Sequence, residues 1–430
     1  MSKKVDNSYY SKRLKVNKTD NLIFGLLACW FLSDAITGYM LNNGMESLSQ
    51  VFKGLVAVIV IIRGRLMPSM IKMTMLMAIY MAFYLINVAL NGENIGASII
   101  LMSKLLTTIL IFVYFINIRN LDKNYFIQKV KFVLKWNFIV FAINILLGVC
   151  GIGYHSYGGE GAFGSHGFFY SNNELSGVVI AMFPWVFFYL KRKFSTIPYF
   201  IGISATLFIA YSMGTKSSLL AVCLSFVLFS FFYGKRNERI VGVIAIALML
   251  YYIFINIQDI LYSEIPIMQR FSYFYDKDGF LHAITSGRLE YWTKAGKEFW
   301  RADPISILFG LGGGRSVEMD LFDALLNCGL FGFFLLILLY IKLIRTPLAK
   351  RNKQLPYSKV IFCINFLWVI VSIVAGHLLF SSMSGMLVAM SNALLFVRER
   401  NHGHKILVFQ YDSRGLGHLS TANRGSVYTY

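Results

Sequence analysis

Long apolar runs, recurring from residue 22 to residue 397, decide what this chain can fold into. Most approach the length at which a helix spans a hydrocarbon layer, about 20 residues. In hydrocarbon every backbone N–H and C=O must find a partner inside the protein, and a helix supplies that partner within one segment. The alternation of an outer-membrane barrel is missing. The expected class is therefore all-α, a polytopic transmembrane helical bundle. Its runs fall near 22–41, 48–62, 73–90, 97–118, 132–152, 174–190, 197–213, 217–233, 240–256, 319–341, 360–376 and 382–397. That makes about 12 spans, of which the last two could instead be one re-entrant hairpin. Composition agrees, with 57% apolar and only 14% charged residues, where a soluble domain carries roughly 25% charged.

The net charge of +20 raises the question of nucleic acid, and its placement answers it. Most Lys and Arg lie before Asn21, near 63–72, 119–135, 191–193, 235–239 and 342–359, and after Val397, whereas acidic residues favour the alternate loops. Such alternation follows the positive-inside rule, while a nucleic-acid surface would be one contiguous basic face. It predicts cytoplasmic tails at 1–21 and 398–430 around a transmembrane domain at 22–397. The polar start and the absence of a small-residue cleavage site make the first run a signal anchor. The five cysteines lie in or beside apolar runs without C-x-x-C spacing, as small buried hydrophobes do. In the tail, Lys405-Ile-Leu-Val-Phe409 and the glycines after Asp412 resemble the first strand and turn of a nucleotide-sugar transferase. No helix follows to complete the unit, so the segment reads as a polar tail.

Two predicted external loops are long: 153–173, rich in Gly, Ser and His, and 257–317. Long loops in compact proteins usually serve function. In the second, Leu289, Trp292, Ala295 and Phe299 form one helical stripe before Pro304. The stripe predicts an amphipathic helix lying on the outer membrane surface. Three cations stand near this face: Lys216 in a Gly-Thr-Lys-Ser-Ser turn, Arg288 after Gly287, and Arg315 after the run Gly310-Leu-Gly-Gly-Gly314. Charge beside small residues suits a phosphate, although long cations also snorkel at interfaces. Glu318, Asp320 and Asp323 open the tenth run. Crowded, shielded carboxylates could hold the raised pKa of a general base, or they could simply complement a helix N-terminus. His155, His166 and His377 are external on this map but lack ligand spacing, and Asp276-Lys-Asp278 imitates a metal-binding D-x-D. Three-residue patterns recur by chance, so no metal or other cofactor is expected. Asp34 and Lys104 lie within spans and could pair there, and Lys53 is near enough to an end to snorkel.

Four stretches carry a resemblance. They are Gly167-Phe-Phe-Tyr-Ser-Asn-Asn-Glu-Leu175, Ser212-Met-Gly-Thr-Lys-Ser-Ser-Leu-Leu-Ala221, Ser286-Gly-Arg-Leu-Glu-Tyr-Trp292, and the 309–314 glycine run followed by Leu325-Leu-Asn-Cys-Gly-Leu-Phe-Gly332. In order and spacing the chain resembles the O-antigen ligase and polymerase superfamily, which joins lipid-linked glycans outside the cytoplasmic membrane. Lys216 stands where the ligase pattern has Arg, and Glu318 where ligases tend to place His, as in polymerases of capsule and exopolysaccharide clusters. The resemblance implies a polymerase of polyprenyl-diphosphate-linked repeat units, working among membrane lipids and other polysaccharide-assembly proteins. Arg288, Arg315 and Lys216 would hold the diphosphate, and Glu318, or else Asp320 or His166, would take the acceptor's proton. A ligase passing glycan to another acceptor is the alternative. A flippase or other transporter is the alternative of another class, though the internal repeats that a transporter would show are missing.

Overall fold

The computed structural model describes residues 16–157, 163–234, 239–240, 251, 262, 266–350, 352–396, 406–411 and 417–422. Apart from the run at 240–256, almost all of which lies outside the described residues, every apolar run is helical. The bundle comprises α1 (Lys18–Ala28), α2 (Trp30–Asn42), α3 (Leu48–Gly64), α4 (Pro68–Leu90), α5 (Ile95–Leu121), α6 (Lys123–Val149), α7 (Asn172–Lys193), α8 (Thr196–Ser212) and α9 (Lys216–Tyr233). Among the described residues, three further helices follow, α10 (Pro266–Thr285), the amphipathic α11 (Arg288–Phe299) and the short α12 (Pro304–Phe309). The bundle then resumes with α13 (Asp320–Leu348), α14 (Ser358–Ala375) and α15 (Ser382–Ala393).

Among the described residues, six helices are long and apolar enough to cross a bilayer, or seven if α1 and α2, bent by 45°, are one span. These lengths alone do not confirm the expected dozen crossings, one of whose runs, 240–256, lies almost wholly outside the described residues. The shortfall has a visible reason in α15, whose 12 residues are all buried. At ~1.5 Å per residue it is about 18 Å long, well short of the ~30 Å hydrocarbon layer. It is an interior helix, packed against α5 and α7. Local sequence explains where helices start: Pro68 sits in the first turn of α4, and Asn94 and Asp122 cap α5 and α6 through their side chains.

Charges inside the bundle are paired, in a pattern that corrects the expected one. Asp34 accepts from Lys53 at 2.5 Å, not from Lys104, and Lys53 also donates to Ser382 at 2.8 Å. Lys104 instead meets Glu174 at 3.1 Å, and Ser381 donates to the same carboxylate at 2.9 Å. Adjacent serines at the start of α15 thus join two ion pairs from four helices. Lys53 does not snorkel; it is held inside.

A third pair lies at the other end of α3. Arg63 donates to Asp20 through Nε at 2.8 Å and Nη2 at 2.9 Å, and Tyr114 donates to the same carboxylate at 2.9 Å. Asp20 is fully buried and also closes the capping box of α1 with Asn17. Removing one partner of a buried pair leaves a charge without compensation, which typically costs about 3–5 kcal/mol. Arg63→Met is accordingly expected to lower the thermal unfolding midpoint of the purified protein sharply. An unchanged midpoint would show that the pair contributes little.

Among the described residues, two small hairpins interrupt the helices. Strands β1 (Tyr154–Tyr157) and β2 (Phe163–Gly167) pair antiparallel between α6 and α7. The C-terminal unit, Val397–Tyr430, is compact by itself. In it β3 (Ile406–Tyr411) pairs antiparallel with β4 (Gly417–Ala422). The strand that imitates a nucleotide-sugar transferase is therefore answered by a second strand, not a crossover helix.

Candidate active site

The segment between α9 and α13 is built on α11. Its stripe is real, but the structure corrects what covers it. Leu289, Trp292, Ala295 and Phe299 pack on Leu311, Val317, Met319, Leu325 and Leu326, and the Trp292 ring stacks on Phe322 at 4.1 Å. The apolar face is spent on the protein, not on the membrane surface. Docking α11 in this way fixes its first residue, Arg288, whose side chain is only 12% exposed. Arg288 donates through Nε at 3.1 Å and Nη2 at 3.0 Å to one carboxylate oxygen of Glu318.

Glu318 stands apart from the two aspartates that follow it. Asp323 accepts from the Val317 N–H at 2.6 Å and from the Ser316 hydroxyl at 3.1 Å, so it braces the loop before α13. Asp320 is fully buried and accepts from the Leu378 and Leu379 N–H groups at 3.0 and 2.9 Å and from the Ser372 hydroxyl at 2.5 Å. It braces the segment after α14. The expected crowd of carboxylates is thus divided: two are internal brackets, and Glu318 alone faces outward with its side chain 45% exposed.

Between these brackets stands His377, whose Nε2 lies 3.8 Å from the second Glu318 oxygen, longer than a normal hydrogen bond. The backbones meet as well. A methyl group on Gly376 would lie 2.2 Å from the Glu318 carbonyl oxygen, so only glycine lets the two segments touch. The His377 imidazole and the Arg288 guanidinium hold the Glu318 carboxyl down at about 2, although partial burial opposes them. The raised value expected of a carboxylate base is therefore not found at Glu318. For His377, burial pulls the imidazole down, but Glu318, with Asp320 and Asp323 behind it, prevails and raises it above the ordinary histidine value.

Backbone strain marks the same place. Among the described residues, the non-glycine residues with positive φ are Ser286 at 53°, Glu318 at 61° and His377 at 61°. All three are at the Arg288–Glu318–His377 cluster or two residues from it. Left-handed conformations at such residues cost about 1–3 kcal/mol each and persist where the surroundings over-determine them, often at functional sites.

The three cations named from sequence fall into two groups. Lys216 donates to the Ala283 carbonyl at 3.2 Å and lies over the Phe271 and Phe274 rings. It therefore supports the turn from which Arg288 emerges. Arg315 is held elsewhere, by Glu93 at 2.5 Å and Glu298 at 2.6 Å. Glu298 is ten residues along α11 from Arg288, a separation of roughly 15 Å. There Arg315 lines an open cleft of about 500 Å³ with Glu93, Lys294, Lys297, Glu298 and Arg301. His166 lies on β2, is 8% exposed, and stands beside Tyr154, His155 and Phe169. Burial lowers its pKa.

Sequence reasoning missed Glu93, and it named His377 only as an external histidine without ligand spacing, not as a member of this site. His377 had a signal, a Gly-His pair interrupting two apolar runs. Glu93 had none beyond its place in a short turn.

A family model described as an O-antigen ligase like membrane protein matches residues 48–278, more than half of the chain. No curated protein matches it. The matched stretch holds Lys216 and the external-loop candidates up to Asp278, while Arg288, Glu318 and His377 follow it.

Proposed function

Because the chain belongs to the O-antigen ligase-like family of membrane proteins, we propose that this membrane glycosyl-transfer enzyme polymerises polyprenyl-diphosphate-linked oligosaccharide repeats. The reaction would take place at the outer face of the bacterial cytoplasmic membrane, with both termini in the cytoplasm. The observation that carries the site assignment is the meeting of Arg288, Glu318 and His377. They come from three separate segments; Glu318 and His377 are themselves strained, and strained Ser286 lies two residues before Arg288.

Arg288 offers Nε and Nη2 to Glu318, which leaves the Nη1 edge of a planar guanidinium to grip phosphate oxygens. Lys216 steadies that turn and adds charge. Arg315 and the basic cleft along α11 would receive the more distant part of the glycan or its carrier. Glu318, held at about 2, is a weak proton acceptor, so the acceptor's proton falls to His377, with Glu318 orienting the ring. With Nε2 turned to Glu318, Nδ1 is the nitrogen left to accept. In the step itself the acceptor oxygen bonds to the anomeric carbon as its proton passes to His377. The bond from that carbon to the diphosphate breaks, and the diphosphate leaves with the electron pair. Arg288 stabilises the charge that develops there.

Deletion of the gene is expected to leave single repeat units on the lipid carrier at the outer leaflet and to abolish long chains. Lipid-linked intermediates from a deletion strain give the readout. Full-length polymer held on the lipid would point to ligation instead, and repeats confined to the inner leaflet would point to a flippase.

A further inference from the structure

Helix α10 is broken within its length: Asp278 has φ −145° and ψ 24°, and Gly279 has φ 79° and ψ −167°. After the break the chain runs to Thr285, turns through Ser286 and Gly287, and returns as α11. The break and the turn bring Asp278, His282 and Glu290 together, with one ligand-type atom from each inside 4.8 Å of the others. His282 is 5% exposed. Its Nδ1 is 3.7 Å from Asp278 Oδ2 and its Nε2 is 3.7 Å from Glu290 Oε1. Both are too long for hydrogen bonds, and Nε2 has no hydrogen-bond partner.

A buried imidazole whose two nitrogens each face a carboxylate at 3.7 Å, with Nε2 left unbonded, calls for an explanation. Glu290 already draws one cation: Lys277 donates to its Oε1 at 2.8 Å. By contrast Asp276, the other half of the D-x-D pattern, accepts from Tyr262 at 2.7 Å, so that pattern is not the grouping.

We propose that Asp278, His282 and Glu290 form a binding site for a first-row divalent metal ion such as Zn²⁺, which clamps α10 to α11. One imidazole with two carboxylates suits zinc, whereas Ca²⁺ and Mg²⁺ prefer oxygen ligands alone. Bonds of about 2.0–2.2 Å place tetrahedral ligand atoms roughly 3.3–3.5 Å apart. The side chains of Asp278 and Glu290, 57% and 47% exposed, are free to close the remaining gap around the buried ring. A water would complete the coordination. The clamp spans the Ser286–Gly287 turn and so holds Arg288 from behind. It does not depend on the glycosyl-transfer reading.

The test uses the full-length protein in lipid nanodiscs and the metal alone. In competition with a chromophoric chelator, the wild type is expected to take up roughly one equivalent of Zn²⁺. Loss even of an outer-sphere partner weakens such sites by about 10–100-fold, and loss of a ligand should cost at least as much. Asp278→Asn and Glu290→Gln are both at exposed positions and are expected to weaken binding by that factor without disturbing the fold, as is His282→Ala at the buried one. Lys277→Met should tighten binding, because it removes the competing ammonium. Zn²⁺ should also slow amide exchange across 279–290 in the wild type and not in Glu290→Gln. Zinc uptake unchanged in Asp278→Asn and Glu290→Gln would place the metal on other groups and overturn the proposal. So would a wild type that binds no Zn²⁺ at micromolar concentrations.

Discussion

Arg288→Lys is expected to lose most chain extension, by roughly 10²–10³-fold, although the charge is kept. That is the range seen when one preorganised donor is removed from a site of developing negative charge. In the proposed site the guanidinium would do two jobs that an ammonium cannot combine. Two of its nitrogens face a single Glu318 oxygen, at 3.1 and 3.0 Å, from a side chain only 12% exposed. Its remaining edge is planar and fixed in direction, ready for a phosphate. Lysine would satisfy Glu318 or the phosphate, not both. Chain length in cells expressing equal amounts of wild type and variant measures the loss, and membrane levels should be equal because Arg288 lies outside the packed bundle. Near-normal polymer from Arg288→Lys would reduce the residue to a tether for Glu318.

His377→Asn is expected to cost on the order of 10²–10⁴-fold, the usual contribution of a general base. Its pH dependence separates this role from a structural one. In the proposed role the base works as neutral imidazole, and Glu318 raises the His377 pKa, so wild-type activity should climb with pH through a midpoint above the ordinary histidine value. Glu318→Gln removes the main cause of that rise and leaves burial, which acts in the opposite direction. The midpoint should therefore move to lower pH while the maximal rate falls, since the ring loses its orienting partner. A Glu318→Gln profile with an unmoved midpoint would exclude His377 as the titrating base and return attention to His166.

How much of this was legible in the sequence depended on the range of the interaction. The helices were, since each apolar run satisfies its own backbone locally. The stripe Leu289, Trp292, Ala295 and Phe299 was legible too, but its cover was not. A periodicity says which face is apolar and leaves open whether lipid or Phe322 lies against it. Pairing followed the same limit. Asp34 and Lys104 share a bundle, yet each found a closer partner, Lys53 and Glu174, through helix packing that spacing does not encode. In the site, Arg288 and Glu318 were named separately, and nothing in their thirty-residue separation announced the contact. His377 was named, but its tie to Glu318 stayed hidden because it runs through the backbone contact at Gly376 and the bracket at Asp320.

The left-handed backbone at Ser286, Glu318 and His377 also bears on how such a protein would drift. These are glycine-shaped positions occupied by larger residues. Exchange for glycine would relieve strain of about 1–3 kcal/mol at each, against a smaller entropic penalty. Folding and use therefore pull in opposite directions at these places. A library screened for heat resistance alone would be enriched in glycine at 318 and 377, and its hardiest members would be the ones that make no polymer.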